Sequence, residues 1–241
     1  MPARDSFSTE PLYLQVRRLL AEQIARSVWA PGAMLPNELE LARELGVSAG
    51  TVRKALGSLE SDKLITRRRG RGTFVVDQAA ADVAVRFSNI RDGTGQRIVG
   101  DMEQLSQGYS PATDIEQQRL QLGPGALVLR LTRLRRHQGR LFMYEEAALA
   151  ADRFPGLGGA EIGTYRITAL AQRHGVHLAQ GLERVMLAQA TPEIARLLEV
   201  ASFTPLLQLD RVVLAMTGEP VEWRVGFCHL DEHETYFGEM S

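Results

Sequence analysis

The sequence predicts an α+β protein in two parts, and three observations lead there. Apolar residues recur at helical spacing three times before residue 60. A basic run then surrounds a glycine in what reads as a hairpin, and beyond residue 85 apolar–polar alternation marks strand after strand joined by short turns. The parts are expected to be 1–78 and 85–241, with 79–84 as the linker, because DQAAADVA (77–84) is small and patternless.

Leu12, Val16, Leu19, Leu20 and Ile24 place a first helix over roughly 12–27, with Pro11 near its first turn and Trp29, Pro31 and Gly32 ending it. Asn37 followed by Glu40 has the spacing of a capping box. It predicts a second helix up to Gly46 with Leu39, Leu41, Ala42 and Leu45 on its apolar side. Ser48 can cap a third helix that turns Val52, Ala55, Leu56 and Leu59 inward and Ala49, Gly50, Arg53, Lys54 and Gly57 outward. Leu64–Arg67 and Gly72–Val76 read as strands, and Arg68, Arg69, Gly70 and Arg71 form the tip between them.

Two helices joined by a tight turn and followed by a basic hairpin make a winged helix-turn-helix. Charge agrees with that reading. Residues 1–78 hold 12 Lys and Arg against 9 Asp and Glu, a balance of +3, while the remainder is −4 in a chain of net −1. The stretch from Lys63 to Arg71 has five basic residues and no acid. A helix fits the major groove, where base edges are distinguishable, and arginines at a narrow tip reach phosphates or the minor groove. The expected contacts to double-stranded DNA are therefore Ser48, Thr51, Arg53, Lys54, Arg68, Arg69, Gly70 and Arg71.

The runs PLYLQV, WAPGAMLPNELELARELGVSAGTVRKAL and LITRRRGRGTFV resemble the DNA-binding domain of the GntR family of bacterial transcription regulators. The resemblance implies that Arg53 contacts DNA and that Arg69 to Phe74 form the wing. Leu39 and Ala49 stand where many members carry arginine, which shifts the expected contacts onto the third helix and the wing.

In the second part, strands are expected at 97–107, 127–135, 141–150, 183–189, 206–216 and 221–230, and helices near 112–119, 165–174 and 192–199. The fold expected is an antiparallel sheet with peripheral helices. The runs VLRLTRLRRHQGRLFMYEE, DRFPGL and LEVASFTPLLQLDRVVLAMTGEPVEW are similar to the UTRA ligand-binding domain of the HutC subfamily, which resembles chorismate lyase in fold. What the resemblance implies is a homodimer, a repressor, and a small-molecule effector that alters operator binding. Phosphosugar-binding members place serine and tyrosine where this chain has Tyr165 and Ile167, which disfavours a phosphosugar.

Leu127, Leu129, Leu131, Arg133 and Arg135 share one strand parity, so both arginines point to the apolar side. Charge there needs a partner, and a ligand carboxylate or phosphate suits the arginine fork. The other reading pairs them with Glu145 or Glu222 as structural salt bridges. Arg133 and Arg135 match the subfamily's arginine pair, and Glu145 and Glu222 match acidic positions that meet the ligand; an anionic effector at these four residues is the expectation.

Composition excludes other classes. Apolar residues make up 44% and charged residues 24% of the chain, in the globular range. Cys228 is its single cysteine, so neither a disulfide framework nor a cysteine-pair zinc site is expected. The N-terminal stretch lacks a secretory pattern, and the cytoplasm is the expected compartment. His229 to His233, HLDEH, matches an inverted zinc-protease motif in letters, but that motif needs a helix and a further ligand. No catalytic residue, metal or cofactor is expected. The competing class is a small-molecule-converting enzyme of chorismate-lyase-like fold with an accessory DNA-binding domain.

Overall fold

The computed structural model describes residues 10–77, 80, 85–155, 157 and 166–238, and the chain divides into two compact units between Asp77 and Gln78. Most of the expected linker, and Tyr165, lie outside the described residues.

The first unit contains α1 (Leu12–Ala25), α2 (Glu38–Leu45), α3 (Ala49–Ser61) and a hairpin of β1 (Ile65–Arg68) and β2 (Gly72–Val75). α1 buries Val16, Leu20, Ala21 and Ile24. Leu12 and Leu19, expected on that stripe, are exposed, because at 3.6 residues per turn they sit roughly 100° or more round the helix from its middle. The capping box at α2 forms: Asn37 Oδ1 accepts the N–H groups of Leu39 and Glu40 at 3.0 Å, and Glu40 Oε2 accepts that of Asn37 at 2.8 Å. Asn37→Ala should cost about 1 kcal/mol of thermal or denaturant stability. Leu39 does not join the apolar side; it is 68% exposed, whereas Leu41 and Ala42 are buried. α3 buries Val52, Ala55, Leu56 and Leu59. A segment missed in the sequence backs the hairpin: the N–H of Val75 donates to Ala33 and that of Leu35 to Thr73, at 2.9 and 2.8 Å.

The second unit is a six-stranded antiparallel sheet in the order β4-β5-β6-β9-β8-β7. Its strands are β4 (Asp101–Pro111), β5 (Leu127–His137), β6 (Arg140–Ala150), β7 (Leu178–Gln189), β8 (Pro205–Ala215) and β9 (Pro220–Cys228). A small second sheet pairs β3 (Ile90–Arg91) with β10 (Thr235–Tyr236). One face of the large sheet packs against α4 (Asp114–Leu120) and α6 (Pro192–Leu198), burying Leu120, Val128 and Ala148 at one end and Leu134, Ile194, Leu198 and Leu206 at the other. The opposite face carries two apolar clusters. Leu129, Leu131, Ala147, Leu149 and Val213 meet Leu170 and Ala171 of α5 (Ile167–Arg173), while Met143, Leu209 and Cys228 meet Ile90 and Ile98.

The strand expected from Arg97 begins at Asp101, after Gly100 turns at φ +71°. A Cβ on Gly100 would lie 2.5 Å from the Arg136 carbonyl oxygen and 2.6 Å from the Phe142 ring. Both neighbours are fixed by the sheet, so Gly100→Ala should lower stability by at least the 1–3 kcal/mol roughly typical of overpacking, read as the denaturation midpoint. Among the described residues, no helix is long and apolar enough to cross a membrane.

Candidate DNA interface and effector site

At the start of α3, the Ser48 hydroxyl accepts the Thr51 N–H at 3.1 Å and lies 2.9 Å from the Thr51 hydroxyl. The cap fixes where the helix begins. One turn on, Arg53 is exposed, and its Nε donates to Glu38 Oε2 at 2.8 Å. Glu38 also lies 3.7 Å from Arg67 Nη2, which donates at 3.2 Å to the Arg53 carbonyl. Glu38 on α2 therefore holds Arg53 of α3 and Arg67 of β1 side by side. Lys54 projects from the same arc, its ammonium 3.9 Å from the Tyr13 ring centroid.

At the wing, Arg68 pairs with Gly72 across the hairpin and the Arg71 N–H donates to the Arg68 carbonyl at 2.8 Å. The loop is thus Arg69, Gly70 and Arg71, closed by Gly70 at φ +71°. The Arg68 guanidinium lies 5.0 Å from the Phe74 ring centroid. Arg68, Arg69 and Arg71 are all exposed.

In the second unit, strand register brings the four expected effector residues together. Arg133 on β5 sits directly opposite Glu145 on β6, and Glu222 on β9 opposite Leu149 on the same face. Glu145 is fully buried. Its carboxylate lies 2.6 Å from Arg133 Nη2, accepts from Arg135 Nε and Nη2 at 3.0 Å each, and accepts from Arg224 Nη1 at 3.0 Å. Glu222 stands 3.9 Å from Arg133. Further along the same face, Arg211 on β8 is opposite Arg224, and Glu183 on β7 is opposite Arg211. Arg211 Nε donates to Glu183 at 2.7 Å, and Tyr236 and Asn89 from the small-sheet region donate to the other Glu183 oxygen. The result is a buried ionic belt across five strands, between the two apolar clusters.

The belt sets the charge states of its members. Burial alone would raise the Glu145 carboxyl, but Arg133, Arg135 and Arg224 outweigh it and hold the group well below the usual carboxylate range. Burial pushes the Arg211 guanidinium down to about 10 and lowers that of Arg135 as well.

A cavity of about 40 Å³ lies against the belt, room for about three waters or the oxygens of one small oxyanion. Arg135, Arg166, Arg211 and Arg224 line it, with Phe87, Phe142, Ile167 and Leu209 among the apolar walls. Of the four residues singled out in the sequence, Arg135 reaches this cavity, while Arg133, Glu145 and Glu222 sit in the belt beside it. Arg211 and Arg224 also line the cavity and are not among the residues the sequence singles out. For Arg211 the signal is present: in LLQLDRVV it shares its parity with Leu207, Leu209 and Val213, as Arg133 and Arg135 do with Leu129 and Leu131; Arg224 has Glu222 and Gly226 as same-face neighbours and breaks no apolar run.

His229 to His233 follow β9 into a turn rather than a helix, so the two imidazoles do not share a helical face. Asp231 there caps the turn by accepting the His233 N–H at 2.8 Å.

A helix-turn-helix with a cationic wing, carried with a separate α+β unit that holds a guanidinium-lined cavity, defines a ligand-responsive DNA-binding regulator. Residues 12–75 match the bacterial regulatory proteins of the gntR family, and residues 96–234, more than half of the chain, match the UTRA domain. The chain belongs to the gntR family, in its UTRA-bearing, HutC-like branch, whose members are transcription regulators and not enzymes. It is 28% identical over 226 residues to the mannosyl-D-glycerate transport/metabolism system repressor MngR of Escherichia coli, covering 93% of this chain and 94% of that one. It is 27% identical, also over 226 residues, to the regulator YurK of Bacillus subtilis, covering 92% and 93%. The crystal structure of the possible transcriptional regulator YydK of Bacillus subtilis superposes with a TM-score of 0.56 at 18% identity, covering 96% of this chain and 100% of that one, and shares the fold.

Proposed function

We propose that the chain is a homodimeric cytoplasmic repressor, organised as a DNA-binding domain over 1–78, a linker over 79–84 and an effector domain over 85–241. In this reading a small anionic metabolite held in the effector domain sets operator affinity. The carrying observation is the cavity lined by four guanidiniums and set against the belt of Arg133, Arg135, Glu145 and Glu222. Arginine forks recognise carboxylate and phosphate, and a buried cluster of cations is costly without an anion. The repressor named MngR among the relatives supports the sign of the regulation.

On the DNA side, Arg53 and Lys54 meet base edges or phosphates from α3, whose start Ser48 and Thr51 fix, and Arg68, Arg69, Gly70 and Arg71 supply the wing. Two-fold operators need two such heads at a fixed separation. The edge strand β7 offers a pairing surface, with Leu182, Val185, Met186 and Leu187 all exposed.

The experiment is to map the DNA bound by the protein across a genome and then titrate small acids made or consumed by the products of the neighbouring genes against a labelled bound fragment. Release by an anionic metabolite supports the reading. Release only by neutral compounds, or turnover of the metabolite, contradicts it. Wing contacts are checked separately: Arg69→Ala with Arg71→Ala should flatten the dependence of log affinity on log salt by roughly one to two contacts' worth, since each neutralised phosphate releases counterions. An unchanged slope would remove the wing from the phosphates.

A further inference from the structure

Arg53 and Lys54 are neighbours on α3, roughly 100° apart round the helix, and two different helices hold them apart. Arg53 leans to α2, where Glu38 Oε2 accepts its Nε–H at 2.8 Å. Lys54 leans to α1, where its Nζ stands 3.9 Å from the Tyr13 ring centroid. That ring belongs to a helix pinned against α3. One turn beyond Tyr13, Arg17 donates from Nε and Nη2 to Oδ2 of Asp62, the residue that closes α3, at 3.2 and 2.6 Å, and Val16 and Leu20 of the same helix are buried. Tyr13 itself is half-buried, while Lys54 is exposed.

The two partners act differently on the charge they hold. Glu38 offsets the charge of Arg53, whereas among the described residues no carboxylate pairs with Lys54. A ring face attracts an ammonium through its quadrupole and leaves the charge in place. An ammonium has three N–H donors, and those turned away from the ring stay open to an acceptor. The ring also restricts a flexible four-carbon stem that would otherwise lose its rotamer freedom only on binding. Lys54 is thus an exposed, uncompensated cation already confined to the α1 side of α3.

We propose that Tyr13 is a positioning residue for DNA binding: its ring holds the Lys54 ammonium at the α1 flank of α3, so that Lys54 meets a phosphate of the duplex backbone and does not read a base. This rests on the reading of α3 as the helix that enters the major groove. A helix in that groove turns its middle to the base edges and its flanks to the two backbones. Tyr13 fixes Lys54 to a flank, and a neutral ring does so without competing with the phosphate for the cation.

The test is a double-mutant cycle on the full chain, with Kd measured over a salt series for a labelled duplex that the chain enriches from a random pool and for an unrelated duplex of the same length. Lys54→Met should weaken both duplexes alike and flatten the dependence of log affinity on log salt by about one contact's worth. Tyr13→Leu should weaken both by roughly two- to fivefold, the size of an exposed cation–π contact, and Tyr13→Phe, which keeps the ring face, should bind as the unmodified chain does. In the Lys54→Met background, Tyr13→Leu should cost nothing further. Because the half-buried Tyr13 also packs α1, the comparison is made within each background, where a loss of stability common to both cancels. A Tyr13→Leu loss of the same size in both backgrounds, or a Tyr13→Phe loss equal to that of Tyr13→Leu, overturns the proposal. So does a Lys54→Met loss confined to the enriched duplex with the salt slope unchanged, which would make Lys54 a base reader. If Lys54→Met weakens both duplexes and Tyr13→Leu weakens neither, the Lys54 contact stands and the positioning role falls; if Lys54→Met weakens neither, the contact itself falls.

Discussion

Glu145→Gln should unfold the effector domain at far lower denaturant than the unmodified chain requires, with a loss of about 3–5 kcal/mol. The reason is geometric. One fully buried carboxylate serves Arg133, Arg135 and Arg224, and an amide presents donors to guanidiniums that need acceptors. Three buried cations would then face one another with only Glu222 and Glu183 nearby. The same carboxylate sets a pH dependence. Its folded-state pKa is depressed, so its contribution is complete at neutral pH and is lost as pH falls below about 4, where the unfolded chain takes up the proton first. A variant that melts like the unmodified protein, with the same acid limb, would mean that the belt does not hold the sheet together. Arg133→Ala is a finer probe, because Glu145 keeps Arg135 and Arg224, and the loss should be smaller than for Glu145→Gln.

The belt also shows how far the sequence could be read. The strands were legible from alternation, and Arg133 and Arg135 stood out because two arginines in register broke an otherwise apolar parity. Arg211 breaks an apolar parity in the same way but is single on its strand, Arg224 has only Glu222 and Gly226 beside it on its face, and only the pairing order β5-β6-β9-β8-β7 brings them and Glu183 into line. That order is non-local. The short β3–β10 pair, which brings Asn89 and Tyr236 to Glu183, has two residues per strand and leaves no periodic trace. In the first unit, capping chemistry is local, and the Asn37, Ser48 and Gly46 signals could be read directly. Leu39 is apolar and lies next to the stripe in sequence, but it stands 68% exposed, two residues before the buried Leu41. Glu38 carries no sequence signal of its own, because a first-turn glutamate is commonplace; its role comes from the position of Arg53 on another helix.

Arg53→Ala should weaken operator binding by roughly 1–3 kcal/mol if the side chain meets a base, about tenfold to a hundredfold in Kd. The helix should stay folded, because Arg53 is exposed and its core neighbours Val52, Leu56 and Leu59 are untouched. Glu38→Gln gives the complementary result. It releases Arg53 from the 2.8 Å contact that aims it, so sequence discrimination at the base it reads should fall more than affinity for unrelated DNA. An Arg53→Ala protein with unchanged affinity and unchanged specificity would take that arginine out of the interface.

Selection of bound sequences from a random-duplex pool by the full chain tests the central claim most directly, with an Arg53→Ala, Arg69→Ala, Arg71→Ala variant run in parallel. The account predicts that the unmodified protein enriches a sequence with two related half-sites and that the triple variant enriches none. Enrichment of the same sequence by both proteins, or of no sequence by either, would contradict it.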